Sequence, residues 1–530
     1  MSRRIKPQTL AVLLLSLTIA LFATAGGGAA QETAQQVRIS IVSDQWGLTP
    51  YDYNTGYPGY VMMSLLYDNL LWYNTDGTMI PWLASDYAIS EDGLTWTFTL
   101  QSDATWHDGA LVTAEDVAFT IDFIKRNNHT RWTSVVTDLV ASVEAADAHT
   151  AIFHLNAPSP GFAALVAADV PIMPRHIWEG TAVTWGEPVD VPPIGSGPYV
   201  LTEHVTDAIY RMEANASYWA GAPLVQELVF AIITETNAAM AALMSGQIDF
   251  ATQYVPPESV ELVAAETDVA VVRAPGYVAI FVLFHCDRPP MDDVVFRRAL
   301  AYAIDVEDIA RTLLGEHGTP GSPGYVPPGA PWATEIAPQF DPARAAALLD
   351  DAGYLDVDGD GWRETPGSDP ISIVMHTPGH DPLRVRAGEL VAEYAAAVGV
   401  RISPQPGDFG AWGATVRERG DYQMAIWGWS APVQQNPDRM AQLFHSEGAL
   451  NFGEFADPEM DRLLDAFTTT LDEGRRMELA ASIQELVAAE VPYITLYYPD
   501  VLQGYRPSVY DGWVTIPGAG AFDKLSFLPR

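Results

Sequence analysis

Lysine is nearly missing from this sequence: Lys6, Lys125 and Lys524 are the only three. Basic residues number 28 against 67 acidic ones, a formal net charge of −39. A chain so short of cations has no surface from which phosphate counterions could be displaced, which excludes nucleic acid as a partner. The acidic excess reads instead as a solvated surface that keeps the folded protein dispersed. Cysteine occurs once, at Cys286, so no intrachain disulfide can form. Inside the apolar run from Val282 that thiol reads as a small buried hydrophobe. The 11 histidines are scattered, with no H-E-x-x-H or H-x-H spacing for zinc. A G-x-S-x-G elbow, a phosphate loop and a dinucleotide fingerprint are missing too. No sequence feature singles out two of the acids as a glycosidase pair, so a secreted hydrolase stands only as a remote third reading.

What is present is a globular composition, 48% hydrophobic and 18% charged, in 530 residues, enough for two or three domains around large cores. Residues 1–30 differ in kind. Arg3, Arg4 and Lys6 precede an apolar stretch from Leu10 to Ala25, and small residues to Ala30 follow. That pattern predicts a secretory signal peptide cut near Ala30, by the general or the twin-arginine route. No cysteine at its end could accept a lipid, and no later apolar run is long enough to span a membrane. The expected product is a soluble periplasmic protein.

The stretch from Tyr67 to Lys125 organises the rest. Asp76-Gly77 and Asp92-Gly93 mark turns, and Trp96, Phe98 and Leu100 alternate with threonines as in a half-buried strand. Trp106 to Gly109 forms a further turn. Thr113 to Asp116 then begins a helix with a capping-box pattern, with Val117, Ile121 and Ile124 at helical spacing behind it. A strand is expected at Val37–Val42, a helix from Tyr60 to Leu71, and Asp-Pro helix starts at Asp341-Pro342 and Asp457-Pro458. Strands and helices interleave throughout, giving an α/β class.

The motif W-H-D-G-x-x-x-T-A-E-D-V, beginning at Trp106, resembles the family 5 solute-binding proteins of ABC importers, the oligopeptide-, dipeptide- and nickel-binding proteins and their relatives. The turn Gly195 to Tyr199, Gly246 to Asp249, and the segment Pro289 to Asp305 are similar to further family elements, in the expected order. The resemblance implies a periplasmic-binding-protein-like fold. Two lobes with mixed sheets would be joined by two crossover strands, with the ligand in the cleft between them. Residues 31–272 and 493–530 would form lobe I, with 70–190 as an inserted subdomain, and 273–492 would form lobe II. The crossovers are expected near Arg273 and Pro492. It also implies the function: capture of an oligopeptide or similar small solute by lobe closure, and delivery to an inner-membrane ABC permease. A monomer without cofactor or catalysis is expected.

Ligand-binding candidates are Trp46 and Tyr53 in the loop after the first strand, Tyr277 at the hinge, Trp412, and the pair Trp427 and Trp429 across Gly428. Aromatic faces beside exposed backbone stack on peptides or sugars; the plainer alternative is core packing, with at least one of the pair lining the cleft. In peptide-binding members of the family an aspartate soon after this Gly-Trp anchors the ligand's amine. Here no acid follows until Asp438, after Asn436. Either Asp438 or another acid takes that role, or the ligand lacks a free amine, which suits a cello- or manno-type oligosaccharide, as some family members bind. Asp356, Asp358 and Asp360 with intervening glycine resemble half of a calcium loop, but Gly367 stands where the bidentate acid belongs. A bare structural turn is the preferred reading there.

Overall fold

The computed structural model describes residues 33–53, 57–127, 131–183, 189–429 and 437–530. The signal peptide expected at 1–30 and the candidate Asn436 lie outside them.

Two mixed sheets carry the fold. The first has seven strands, in the spatial order Ala270–Ala274, Val501–Tyr505, Phe250–Tyr254, Ala34–Ile41, Val225–Ile232, Ile209–Ala214 and Tyr199–Val205. Its opening strand runs parallel to both neighbours, and the remaining pairs are antiparallel. The second has six, in the order Gly318–Pro320, Tyr493–Pro499, Ile280–Phe284, Met424–Gly428, Ile373–Pro378 and Ile402–Gly407. The chain leaves the first sheet after Ala274 and enters the second at Ile280; it returns between Pro499 and Val501.

That return falls later than the crossing expected near Pro492. Tyr493–Pro499 pairs antiparallel with Ile280–Phe284 on one side and with Gly318–Pro320 on the other, so the second sheet holds it to its end. A run of buried apolar residues looks alike in either sheet, and its pairing partners decide where it belongs.

Between Ala34–Ile41 and Tyr199–Val205 the chain inserts a separate antiparallel sheet, ordered Ala84–Ile89, Thr95–Leu100, Thr150–Leu155 and Val140–Ala145. Its alternation is as the sequence implies. Trp96, Phe98 and Leu100 are buried, and Phe98 meets Phe153 edge-on at 5.5 Å. The helix Ala114–Arg126 begins with the expected capping box, Asp116 accepting the Thr113 backbone N–H at 2.8 Å. The other Asp116 oxygen accepts from Arg175 N, tying in a second segment. The helix expected from Tyr60 ends sooner, spanning Gly59–Leu66, because Leu71–Tyr73 pairs with Met79–Pro81 around the Asp76-Gly77 turn.

Part of the acidic surplus caps helices. Asp293, Asp305, Asp341, Asp381, Asp457 and Asp472 each accept a backbone N–H in the first turn of the helix they precede. Such a cap is worth ~1 kcal/mol. Gly195 has no positive φ; a glycine is needed there because a Cβ would lie 1.8 Å from the Leu66 carbonyl oxygen. Among the described residues no helix is long and apolar enough to cross a membrane.

Candidate functional site

The strand Met424–Gly428 lies inside the second sheet and ends in an aromatic wall. Trp427 stacks on Trp412 with centroids 4.3 Å apart and planes 25° from parallel, and Trp429 meets Trp427 edge-on at 5.9 Å. Alternation along the strand buries Trp427 in the core with Phe281 and Leu283, and Trp412 is buried with it. Trp429 stands past the strand end, half-buried against Phe452. The indole N–H groups of Trp427 and Trp429 are buried without an acceptor among the described residues. A donor left so costs about 1–3 kcal/mol.

Trp46, by contrast, is exposed (54%) and left-handed, with φ of 58°. Asp44 holds that loop: it accepts from the Trp46 backbone N–H at 2.8 Å, from Asp207 N at 2.8 Å and from the Tyr210 hydroxyl, and it pairs with His204 at 3.0 Å. Burial alone would raise its pKa, but the bonds from Tyr210, His204 and the backbone outweigh it and bring the carboxyl down to about 2. A folded-state pKa below the unfolded value means stability that is present above pH ~4 and is lost as pH falls toward 2. Urea titrations between pH 2 and 6 are therefore expected to show a shallower acid decline in Asp44→Asn than in the parent. Identical slopes would remove Asp44 from the account.

Tyr53 is 3% exposed and stacks on Trp132 at 6.0 Å in the first lobe's core. Tyr277 is buried in the outward crossing between Ala274 and Ile280. Asp438 is committed elsewhere: its Oδ1 lies 2.5 Å from Arg476 Nη2, with both side chains buried. A carboxylate so neutralised is not an open anchor for a ligand ammonium. Sequence reasoning missed the charged residues around it. Arg131, Asp169, Arg439 and Arg476 come from distant segments, and only the adjacency of Arg439 to Asp438 offered a signal. Cys286 is half-buried, and burial pushes its thiol up to about 11.

Asp356, Asp358 and Asp360 do converge, with ligand-type oxygens within 4.8 Å of one another. Those oxygens are occupied by the turn: Asp356 accepts from Gly359 N and Gly361 N, Asp358 from Asp360 N, and Asp360 from Trp362 N. Glu364 turns back to the Val357 N–H at 2.7 Å. Calcium at millimolar concentration is expected to leave the melting midpoint unchanged; a rise that saturates would establish a metal loop.

The fold thus has two sheet-centred lobes, two crossings that touch at Gly276 and Pro499, and an aromatic cluster at the end of a second-lobe strand. The model of the bacterial extracellular solute-binding proteins, family 5 (middle), matches residues 78–451. The chain belongs to this family. The glutathione-binding protein GsiB of Salmonella typhimurium is 26% identical over 99% of each chain. The dipeptide-binding protein of Escherichia coli is 25% identical, covering 87% of this chain and 89% of its own. Among solved structures, the ABC transporter substrate-binding protein CtaP of Listeria monocytogenes superposes with a TM-score of 0.82 over 94% of this chain and 99% of its own, at 24% identity. By its family this chain is a bacterial extracellular solute-binding protein.

Proposed function

We propose that the protein captures an oligopeptide between its lobes, closes over it and passes it unaltered to a membrane permease. The observation that carries this is the half-buried Trp429 at the end of a second-lobe strand, backed by the stacked Trp427 and Trp412. A peptide supplies side chains that pack on such an aromatic face. Relatives that bind glutathione and dipeptides support the same solute class. The lobes are taken to divide at Ala274–Ile280 and Pro499–Val501, and rotation there gives the closure. Export by residues 1–30, a monomeric state, and Trp46 and Trp429 as ligand contacts belong to the same reading.

Isothermal titration against tri- to hexapeptides, cellohexaose and mannohexaose tests it. Peptides are expected to bind and to reduce the radius of gyration in solution scattering. Trp429→Ala is expected to weaken binding by about 2 kcal/mol, roughly 30-fold, with little change in melting. Binding of the hexaoses alone would favour the oligosaccharide reading, and release of a cleaved product would overturn transport without chemistry.

A further inference from the structure

The turn Pro437–Arg439 is where the second lobe meets the segment carrying the four-stranded sheet. A Cβ on Gly161 would lie 2.6 Å from Asp438 Cγ, so the Asp438 side chain packs directly on the Gly161 backbone. Asp438 is neutralised by Arg476, whereas its neighbour Arg439 has no carboxylate within hydrogen-bonding distance among the described residues. Arg439 Nη1 reaches Gln442 Oε1 at 3.3 Å, and its nearest carboxylate oxygen, Asp169 Oδ2, is 3.9 Å from Nη2. Asp169 is already engaged: Arg131 Nη2 donates to Oδ1, and Trp132 Nε1 donates to Oδ2 at 3.0 Å. Arg439 Nε is buried with no acceptor among the described residues. Two guanidiniums thus share one carboxylate, leaving one positive charge in excess between the lobes. Arg131 is held flat, 4.6 Å over the Tyr60 ring and 5.1 Å over Trp132, and cannot swing away without losing both faces.

A guanidinium in that state is poorly compensated, and its rigid fork matches a carboxylate better than any other common group. Burial and the nearby Arg131 both press the Arg439 pKa down against the pull of Asp169, which a ligand anion would relieve. We propose that Arg439 receives a carboxylate of the solute, so that the ligand end lying against Gly161 and Asp169 is its acid and not its amine. This rests on the peptide reading, and it places an acid where Asp438 was one candidate to hold an ammonium.

The test uses purified full-length protein with residues 1–30 removed, titrated with trialanine, trialanine amide, N-acetyl-trialanine, glutarate and mannohexaose. Trialanine and its N-acetyl form are expected to bind within about 3-fold of each other, and the amide about 100-fold more weakly. Arg439→Gln is expected to lose that same ~100-fold for the acid while leaving the amide unchanged, and Arg439→Lys to retain part of the preference. Unaltered far-UV dichroism and melting show that the variants fold. Amide binding equal to acid binding, or an indifferent Arg439→Gln, overturns the assignment. Glutarate binding that depends on Arg439 without any peptide binding would remove the peptide reading and keep the carboxylate. Mannohexaose binding alone, or no binding to any of the five at millimolar concentration, counts against both.

Discussion

Lys524→Met is expected to lower folding stability by about 3–5 kcal/mol, because it strands a buried carboxylate. Lys524 and Asp68 are both wholly buried, 3.1 Å apart, although 456 positions separate them in the chain. The ammonium lies 3.9 Å from the Trp72 ring centroid and 5.3 Å from that of Trp82. Asp68 also accepts from Trp82 Nε1 and the Tyr218 hydroxyl at 2.9 Å each, and from Trp219 Nε1 and the Ser196 hydroxyl at 3.3 Å. Asp523 stands beside it, accepting from Trp72 Nε1 and Leu525 N. Burial presses the Lys524 pKa down and that of Asp523 up, so neither charge is at ease without its partners. Removing the cation leaves two buried acids and no counter-charge; the cage ties the last residues of the chain to the block after the first helix. Guanidinium unfolding of the parent, Lys524→Met and the double variant Asp68→Asn with Lys524→Met measures it. The double variant is expected to recover part of the loss, since the asparagine oxygen still accepts without needing a cation. A single-variant loss below ~1 kcal/mol would show the cage to be ornamental.

Gly276→Ala is expected to be nearly as damaging, by more than about 3 kcal/mol, for a steric reason. A Cβ at this position would sit 1.6 Å from the Pro499 carbonyl oxygen and 2.6 Å from its carbon. Gly276 belongs to the outward crossing and Pro499 to the return, so the added methyl forces the two crossings apart. Neither can yield easily. Arg273 pairs with Asp500 at 2.5 Å, and Gly518 N donates to the Pro275 carbonyl at 2.8 Å on the same side. Where the variant still folds, solution scattering should show a larger radius of gyration than the parent. Gly367→Ala serves as control: its Cβ would meet nothing nearer than 3.6 Å, and a change under ~0.5 kcal/mol is expected. Equal behaviour of the two variants would remove the crossings' contact as a constraint on the lobes.

Local features were legible where their cause is local. Thr113 and Asp116 sit three residues apart, and that spacing alone makes a capping box. The Asp-Pro starts and the period-2 strand at Thr95–Leu100 follow from the same short-range rules. The site was legible only in part. The indole pair across Gly428 was visible as sequence, but which ring faces inward depended on where the strand stopped. That Asp438 is paired was not legible, because Arg476 arrives from far along the chain.

Composition and motif order were enough to establish an α/β chain of this family, poor in cations and without a disulfide. The tertiary structure alone decided the sheet that owns Tyr493–Pro499, the partner of each buried charge and the excess guanidinium at Arg439. The physical reason is one of range. Helix caps and strand alternation are set by neighbours a few residues away, whereas ion pairing, ring stacking and strand order depend on which distant segments folding brings within a few ångströms.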